Sequence, residues 1–504
     1  MTTSLKTIAA RRETPAGLPP FALGPVAAIA GVAAVALAAS LGRYGFYGDE
    51  LYFLSAGRRL SFGYADQGPL VPAIARLMDI LAPGSLVALR IPALLVTVAA
   101  IVISAQIARE FGGSRGAQTL SAAAYATSTF LLIQGTQLST NTIDTALWVL
   151  ISWLLVRWVR TRRDGLLFWA ALVTALDMQV KWLIPFFWIA VGIAALIYGP
   201  RELLRRPLLW AGAAVVFVCT LPTLLWQAAH GWPQLGMGAQ VSAEQDTMGG
   251  RLTFLPLALL MAGILGGVLL LYGIWALLRS DSLRPYRFLG LVPLLLTVVF
   301  LVENGRPYYL IGCFPMVMAA GAVQWTTRAA RWRGWVAGVL AVSSAVLVAY
   351  VLPWQPESDI PPARESDSAI SVYAKFGWPE LRDATAAAYR ALPEPERSRA
   401  VVITDSYWQA SALDGDRVKY GLPAIYSPNR GFGYFGTPPD TATTVLWVGG
   451  DGSEPRAHCA TVTEVGRVDA RLGLPGVTRG VTIWRCDHPR DPWSHEWPSM
   501  LRLG

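Results

Sequence analysis

The chain has 504 residues, of which 54% are apolar and only 15% are charged. Mean hydropathy is +0.42, whereas soluble domains carry about 25% charged residues, so soluble globular, disordered and fibrous chains are excluded. The net charge of +9 is mostly arginine, with lysine only at Lys6, Lys181, Lys375 and Lys419; it reads as the basic face of a membrane protein and not as a nucleic-acid footprint.

A helix needs about 20 apolar residues to cross a bilayer. Eleven stretches qualify: 21–41, 86–108, 117–135, 143–159, 166–181, 183–199, 208–228, 252–278, 288–302, 309–327 and 334–353. The fifth and sixth are short and split only around Lys181–Trp182. The first run, about 20 residues, exceeds the usual 7–15 of a signal-peptide core and reads as a span. With the segment 1–20 inside, the inner segments hold 18 basic residues, Lys6, Arg11, Arg12 and Arg328 among them, against 8 outside. That asymmetry is the positive-inside pattern. It makes 21–353 a transmembrane domain with a long first outer loop, 42–85, and leaves the C-terminal part outside.

Composition changes after Pro353. Residues 354–368 are polar and Pro-rich and read as a linker. From 369 to 504 the chain reads as a small α/β domain, with a helix over Leu381–Leu392. Strand-like runs follow at Ala400–Thr404, Pro423–Tyr426, Thr443–Val448, Ala460–Val465 and Val481–Arg485. Cys459 and Cys486 both fall there, and two readings stay open: a disulfide outside the cytoplasm, or two free core thiols. Cys219 and Cys313 lie in or beside spans, and the four histidines are too scattered for a zinc site. The aromatic, Gly-rich stretch Tyr407–Tyr434 suits sugar stacking, a cavity wall or plain core packing.

Ionisable residues at the membrane edge carry the functional signal. In the first outer loop Asp49 and Glu50 are adjacent carboxylates, followed by Tyr52, Asp66 and Gln67 among interleaved aromatics. Ionised carboxylates only accept hydrogen bonds and suit general-base work. Asp144 enters the fourth span, where capping explains it as well as function does. Asp177 and Lys181 are four apart, a spacing that lets them pair on one helix face, while an ammonium there equally suits a phosphate. Arg306, Tyr308 and Tyr309 offer a cation and two phenols at headgroup depth. Asp49, Glu50, Asp66 and Asp144 are oxygen ligands suited to a divalent cation but lack the spacing of a metal motif, so a metal cofactor stays open.

The phrase FYGDELYFLSAGRRLSFGYADQGPLVP resembles the first outer loop of the bacterial GT-C glycosyltransferases, and TNTIDTALW, DMQVKW and RPYYLIGCFP continue the resemblance. These enzymes are similar to the protein O-mannosyltransferases and the aminoarabinose transferase of lipid A. The resemblance covers about residues 21–330 and implies a polytopic helical GT-C fold, of about 11 transmembrane helices, with a C-terminal α/β domain outside. It implies Asp49 as catalytic base with Glu50 beside it. It implies Lys181, Arg306, Tyr308 and Tyr309 near a lipid phosphate, with Tyr52, Asp66, Gln67 and Asp144 lining the substrate cavity. One departure concerns the turn after Asp66: the family shows Asp-x-Pro-Pro-Leu, and here Gly68 stands where the first proline is expected.

These features predict a glycosyltransferase of the bacterial cytoplasmic membrane. The donor is a polyprenyl-phosphate sugar and the acceptor a glycan, lipid or protein hydroxyl; no nucleic acid is involved, and no nucleotide fingerprint is present. The rival reading is a lipid or glycan transporter, which places its charges at the midplane and shows internal repeats; this sequence shows none. The topology is testable: reporter fusions after Arg163 and after Pro356 are expected on opposite sides of the membrane, and the same side for both refutes the scheme.

Overall fold

The computed structural model describes residues 17–327, 330–363 and 370–504. Lys6, Arg11, Arg12 and Arg328, which enter the charge asymmetry, and the last part of the expected linker lie outside the described residues.

Helix α1 (Leu23–Ser40) leads into α2 (Gly48–Gly57) and α3 (Leu70–Leu81) of the first loop, and α4 (Leu86–Glu110) follows. Then come α5 (Arg115–Ala126), α6 (Thr129–Ile133), α7 (Thr140–Thr161), α8 (Gly165–Asp177), α9 (Ile184–Tyr198) and α10 (Pro207–Ala229). The bundle ends with α11 (Pro233–Thr247), α12 (Gly250–Ala262), α13 (Ile264–Arg279), α14 (Arg287–Val302), α15 (Phe314–Thr326) and α16 (Arg331–Val351). Among the described residues seven segments are long and apolar enough to cross a membrane, or eight if α12 and α13 count as one, and α8 and α9 are shorter apolar helices. The chain is thus a multi-pass membrane protein.

Two of the eleven expected spans are broken, and each break holds the other. The stretch 117–135 stops at Thr127, and Ser128 caps α6 by accepting the Leu131 N–H at 3.4 Å. The stretch 252–278 bends by 110° between α12 and α13. Gly263 makes that bend with φ 75°, and a Cβ there would sit 2.8 Å from the Thr127 carbonyl. Ser128 Oγ donates to Met261 O at 2.7 Å, and Thr129 Oγ1 to Leu260 O at 2.8 Å. Irregular backbone survives at membrane depth only where such partners replace water.

After the linker come α17 (Ile370–Tyr373), α18 (Trp378–Arg390), α19 (Glu394–Arg397), β1 (Ala400–Thr404), α20 (Tyr407–Gly415), β2 (Ile425–Tyr426), β3 (Thr444–Val448), β4 (Cys459–Val468) and β5 (Val481–Pro489). The five strands form one mixed sheet in the order β2-β1-β3-β5-β4. β1 runs parallel to β2 and β3, and β5 antiparallel to β3 and β4. β1 and β3 are buried throughout, as their Val- and Ile-rich sequences require. Cys459 and Cys486 form a disulfide with Cα atoms 5.7 Å apart, which decides between the two readings of that pair.

The first loop joins bundle and C-terminal domain. Leu51, Tyr52 and Phe53 of α2 share one apolar core with Trp378, Leu381 and Tyr407. Both Arg59 Nη atoms bond Asp414, at 2.7 and 2.8 Å, and Trp378 Nε1 donates to Phe46 O at 2.8 Å. The loop is anchored from below by a buried pair: Arg90 Nε and Nη2 meet Glu50 Oε1 and Oε2 at 2.9 and 2.8 Å. Their side chains are 1% and 0% exposed. Arg90 also donates to the carbonyls of Leu41, Arg43 and Gly45 at 2.8–3.2 Å.

Removing one partner of a buried pair strands the other charge and costs about 3–5 kcal/mol. Arg90→Met is expected to lose about that much, read as a lowered unfolding midpoint by tryptophan fluorescence in detergent. The double variant Glu50→Leu with Arg90→Met should lose less than the sum of the singles; wild-type stability in Arg90→Met contradicts the anchoring role.

Candidate active site

Asp49 stands in the first turn of α2. Gly48 before it is required, because a Cβ there would press into the Trp408 ring. Asp49 Oδ1 accepts from the Tyr407 hydroxyl at 2.7 Å and from Trp408 Nε1 at 2.8 Å. Both donors open α20, which Ser406 and Gln409 close with reciprocal capping bonds. Burial, with the Asp49 charge adding to it, lifts the Tyr407 phenol well above its ordinary value, so it stays a donor. The half-buried Asp49 carboxylate has one oxygen fixed by this pair of donors; Oδ2 has no hydrogen-bond partner among the described residues.

Glu50, expected beside Asp49 in the catalytic set, has another task. Besides Arg90 it accepts the N–H groups of Tyr47 at 2.9 Å and Leu138 at 3.0 Å. Its lone pairs are used and it is fully buried, so in this geometry it positions the loop and has no free oxygen for a proton or a metal.

Tyr52 donates to Asp66 Oδ1 at 2.8 Å. Burial raises the Asp66 carboxyl above the usual range, against the pull of Arg430 and the Tyr52 hydroxyl. Gln67 is 5% exposed, and neither of its amide atoms has a hydrogen-bond partner among the described residues. Gln67 lies beside Tyr52.

Lys181 does not form the expected contact pair with Asp177. α8 ends at Asp177 in a closing turn, with Lys181 N–H donating to Asp177 O at 2.9 Å, yet the ammonium turns away from the carboxylate. Instead Nζ donates to Asn141 Oδ1 at 2.5 Å and lies 5.1 and 5.0 Å from the ring centres of Tyr308 and Tyr309. Ser139 caps α7 through the Thr142 N–H at 3.1 Å, which leaves Asp144 without a capping role. Asp144 is 8% exposed and Asp177 0%; both lie within electrostatic reach of Lys181, inside the bundle.

Arg306 pairs with Glu244 of α11. Glu244 Oε1 also accepts from Arg430 Nη2 at 2.7 Å, and the Arg430 guanidinium lies 5.2 Å over the Tyr407 ring. Tyr47 lies within electrostatic reach of Asp49 and Arg430 and near the Tyr308 phenol. Asp49, Lys181 and Arg306 therefore meet around one region between the first loop, the Arg306–Tyr309 segment and the C-terminal domain. Asp144 and Asp177 are buried in α7 and α8 on the Lys181 side of it. The carboxylates do not gather into a metal-ligand set: no group of three or more Asp, Glu, His or Cys suits an ion among the described residues. Asp49, Glu50, Asp66 and Asp144 thus show no fit to a shared cation.

The site roles of Asn141, Glu244 and Arg430 and the donor roles of Tyr407 and Trp408 escaped the sequence reading. Tyr407, Trp408 and Arg430 had a signal only in that they fall in the aromatic, Gly-rich stretch Tyr407–Tyr434. Within that stretch Tyr434 packs against Trp226 and His230 instead.

Residues 66–226 match the family described as dolichyl-phosphate-mannose-protein mannosyltransferase. That range includes Asp66, Asp144 and Lys181 but neither Asp49 nor Arg306. No curated protein sequence matches the chain. The structure is similar to ArnT from Cupriavidus metallidurans bound to undecaprenyl phosphate, with TM-score 0.57 and 15% identity over 92% of this chain and 98% of that one. The apo state of the same protein gives 0.56 at 14% identity, over the same shares. The arabinofuranosyltransferase AftD from Mycobacteria gives 0.50 at 15% identity, over 93% of this chain and 42% of that one. At such identities the likeness establishes the fold. It is the fold implied by the first-loop resemblance.

The departure at Gly68 has a structural cause. Gly68 N–H donates to Val180 O at 3.2 Å, and Leu70 N–H to Gln179 O at 2.9 Å. A Cβ at position 68 would overlap the Gln179 carbonyl. Gly68 thus ties the Asp66 turn to the backbone just before Lys181, where proline would both clash and lose the N–H. Gly68→Ala is expected to cost about 1–3 kcal/mol by overpacking and to lower transfer; unchanged unfolding midpoint and turnover would refute the tie.

Proposed function

We propose that this chain transfers a hexosyl or pentosyl group from a polyprenyl-phosphate donor to an acceptor hydroxyl at the outer face of the bacterial cytoplasmic membrane. The observation that carries this reading is the run of contacts from one half-tethered carboxylate, Asp49, through Tyr407, Arg430 and Glu244 to Arg306, with Tyr47 within reach of both Asp49 and the Tyr308 that packs on Lys181. ArnT, of similar fold, was crystallised with undecaprenyl phosphate, which fits a lipid-linked donor here. The disulfide in the C-terminal domain suits a compartment outside the cytoplasm. The acceptor class, whether glycan, lipid or protein, stays open.

In the mechanism the lipid stays in the bilayer and its phosphate rests against Lys181, Arg306, Tyr308 and Tyr309. Asp49 Oδ2 takes the proton of the acceptor hydroxyl as the oxygen attacks the anomeric carbon. The bond to the phosphate oxygen breaks on the opposite face, so the anomeric centre inverts. The phosphate gains charge as it leaves, and the cations and phenols stabilise that charge more in the transition state than in the ground state. Tyr407 and Trp408 hold the base through Oδ1 and leave Oδ2 for the proton. Tyr52, Asp66 and Gln67 border the same loop and form the acceptor side.

Asp49→Asn keeps size and the two tethering bonds but removes the base. Transfer by the purified protein is expected to fall about 10²–10⁴-fold, with polyprenyl-phosphate binding retained. Arg306→Ala and Lys181→Ala should weaken that binding and slow transfer as well. Product NMR should show inversion. Full activity in Asp49→Asn, or retention of configuration, overturns the assignment.

A further inference from the structure

The C-terminal domain reaches toward the phosphate side through one loop, Asn429–Tyr434. Arg430 there has φ 50°, left-handed backbone that a non-glycine residue keeps only where its surroundings impose it. They do: Arg430 N–H donates to Arg502 O at 2.7 Å, Asn429 Nδ2 donates to Gly504 O at 2.9 Å, and Asn429 Oδ1 accepts from Tyr407 N–H at 3.1 Å. Gly431 follows because a Cβ there would overlap the Tyr52 phenol. The backbone thus directs the guanidinium out of its own domain, across the Tyr407 ring and onto Glu244.

Glu244 serves two arginines with one carboxylate, Arg430 on Oε1 and Arg306 on Oε2. The trio keeps one net positive charge. Arg306, Arg430 and Glu244 are 11%, 21% and 27% exposed, so their charges are poorly screened, and guanidinium forks match phosphate oxygens. Arg430 also lies within electrostatic reach of Asp49 and Asp66, on the reacting side. The two domains are already clamped elsewhere, by Arg59 on Asp414 and Trp378 on Phe46. Helix α11 is held without its glutamate, since Asn304 Nδ2 donates to Asp246 Oδ1 at 2.8 Å and to Ser242 O at 3.0 Å. Glu244 can therefore release its arginines while α11 stays in place.

We propose that Arg430 is a donor-phosphate ligand supplied by the C-terminal domain, and that Glu244 is a stand-in anion holding Arg306 and Arg430 until phosphate replaces it. The proposal rests on the polyprenyl-phosphate reading above. It makes domain docking a condition for a complete donor site. It also gives the spent lipid phosphate a competitor, because the returning carboxylate displaces it.

The test uses the full chain in lipid nanodiscs, with a polyprenyl monophosphate and the uncharged polyprenol as probes. Arg430→Gln is expected to weaken phosphate binding about tenfold or more while leaving polyprenol binding unchanged, and Arg430→Lys to recover part of the loss. Glu244→Gln should tighten phosphate binding about tenfold. A purely structural clamp predicts weakening, or no change, in both variants; unchanged binding in Arg430→Gln, or weaker binding in Glu244→Gln, overturns the proposal. If Arg430→Gln does not fold, the sign of the change in Glu244→Gln decides alone. A wild-type protein that binds the phosphate no better than the polyprenol strikes down the donor reading itself, whereas normal wild-type binding with an indifferent Arg430→Gln strikes down only this inference.

Discussion

Glu50 and Arg90 exchange two hydrogen bonds with almost no exposure to solvent. Neither charge tolerates burial without the other, so the pair dictates where the first loop lies on the bundle. Arg90 belongs to α4 and collects the carbonyls at the end of α1; Glu50 belongs to α2 and adds the Leu138 N–H just before α7. Three bundle segments and the loop are thereby fixed relative to one another, and Asp49, one residue away, inherits its position. The local field is crowded: burial and then the Arg90 charge push the neighbouring Lys375 ammonium down to about 8, with Glu50 opposing. A loop held by one buried ion pair can carry a half-exposed carboxylate next to it without loss of order.

The site is shared between the bundle and the C-terminal domain. Asp49 comes from the first loop, its two tethering donors from α20. Lys181 and the Tyr308–Tyr309 pair come from bundle segments. The arginines that share Glu244 come one from each side. In such an arrangement the C-terminal domain aims the Asp49 carboxylate and borders the charged region. Its aromatic start, Tyr407–Trp408, contributes hydrogen-bond donors at the ends of apolar rings, which suits a half-buried carboxylate between two apolar bodies.

Glycines mark the points where these bodies approach closely. Gly48 admits the Trp408 ring, Gly68 the Gln179 carbonyl and Gly263 the Thr127 carbonyl. Each removes a side chain where two backbones or a backbone and a ring must touch, and each sits next to a functional or bent segment. The bend between α12 and α13 and the gap between α5 and α6 satisfy each other's polar groups, which is why neither span needs to be continuous.

The fold class was legible in the chain because bilayer thickness acts on composition directly: apolar runs, arginine asymmetry and the change after Pro353 are one-dimensional signals. The same holds for strands such as Ala400–Thr404, whose buried β-branched run leaves few alternatives. Asp49, Lys181 and Arg306 stood out because ionisable side chains at the membrane edge are costly and rare, and Tyr308 and Tyr309 because they accompany Arg306 at headgroup depth. Tertiary structure alone decided their partners. Adjacent in sequence, Asp49 and Glu50 look equivalent, yet successive helical positions point about 100° apart, which left one half-exposed and buried the other against Arg90. Asp177 and Lys181 have a pairing interval and a shared backbone turn, but the ammonium goes to Asn141 and the Tyr308 and Tyr309 rings instead. Nothing in the sequence pairs Glu244 with Arg430, 186 residues apart, because a contact between two folded bodies depends on how their surfaces meet.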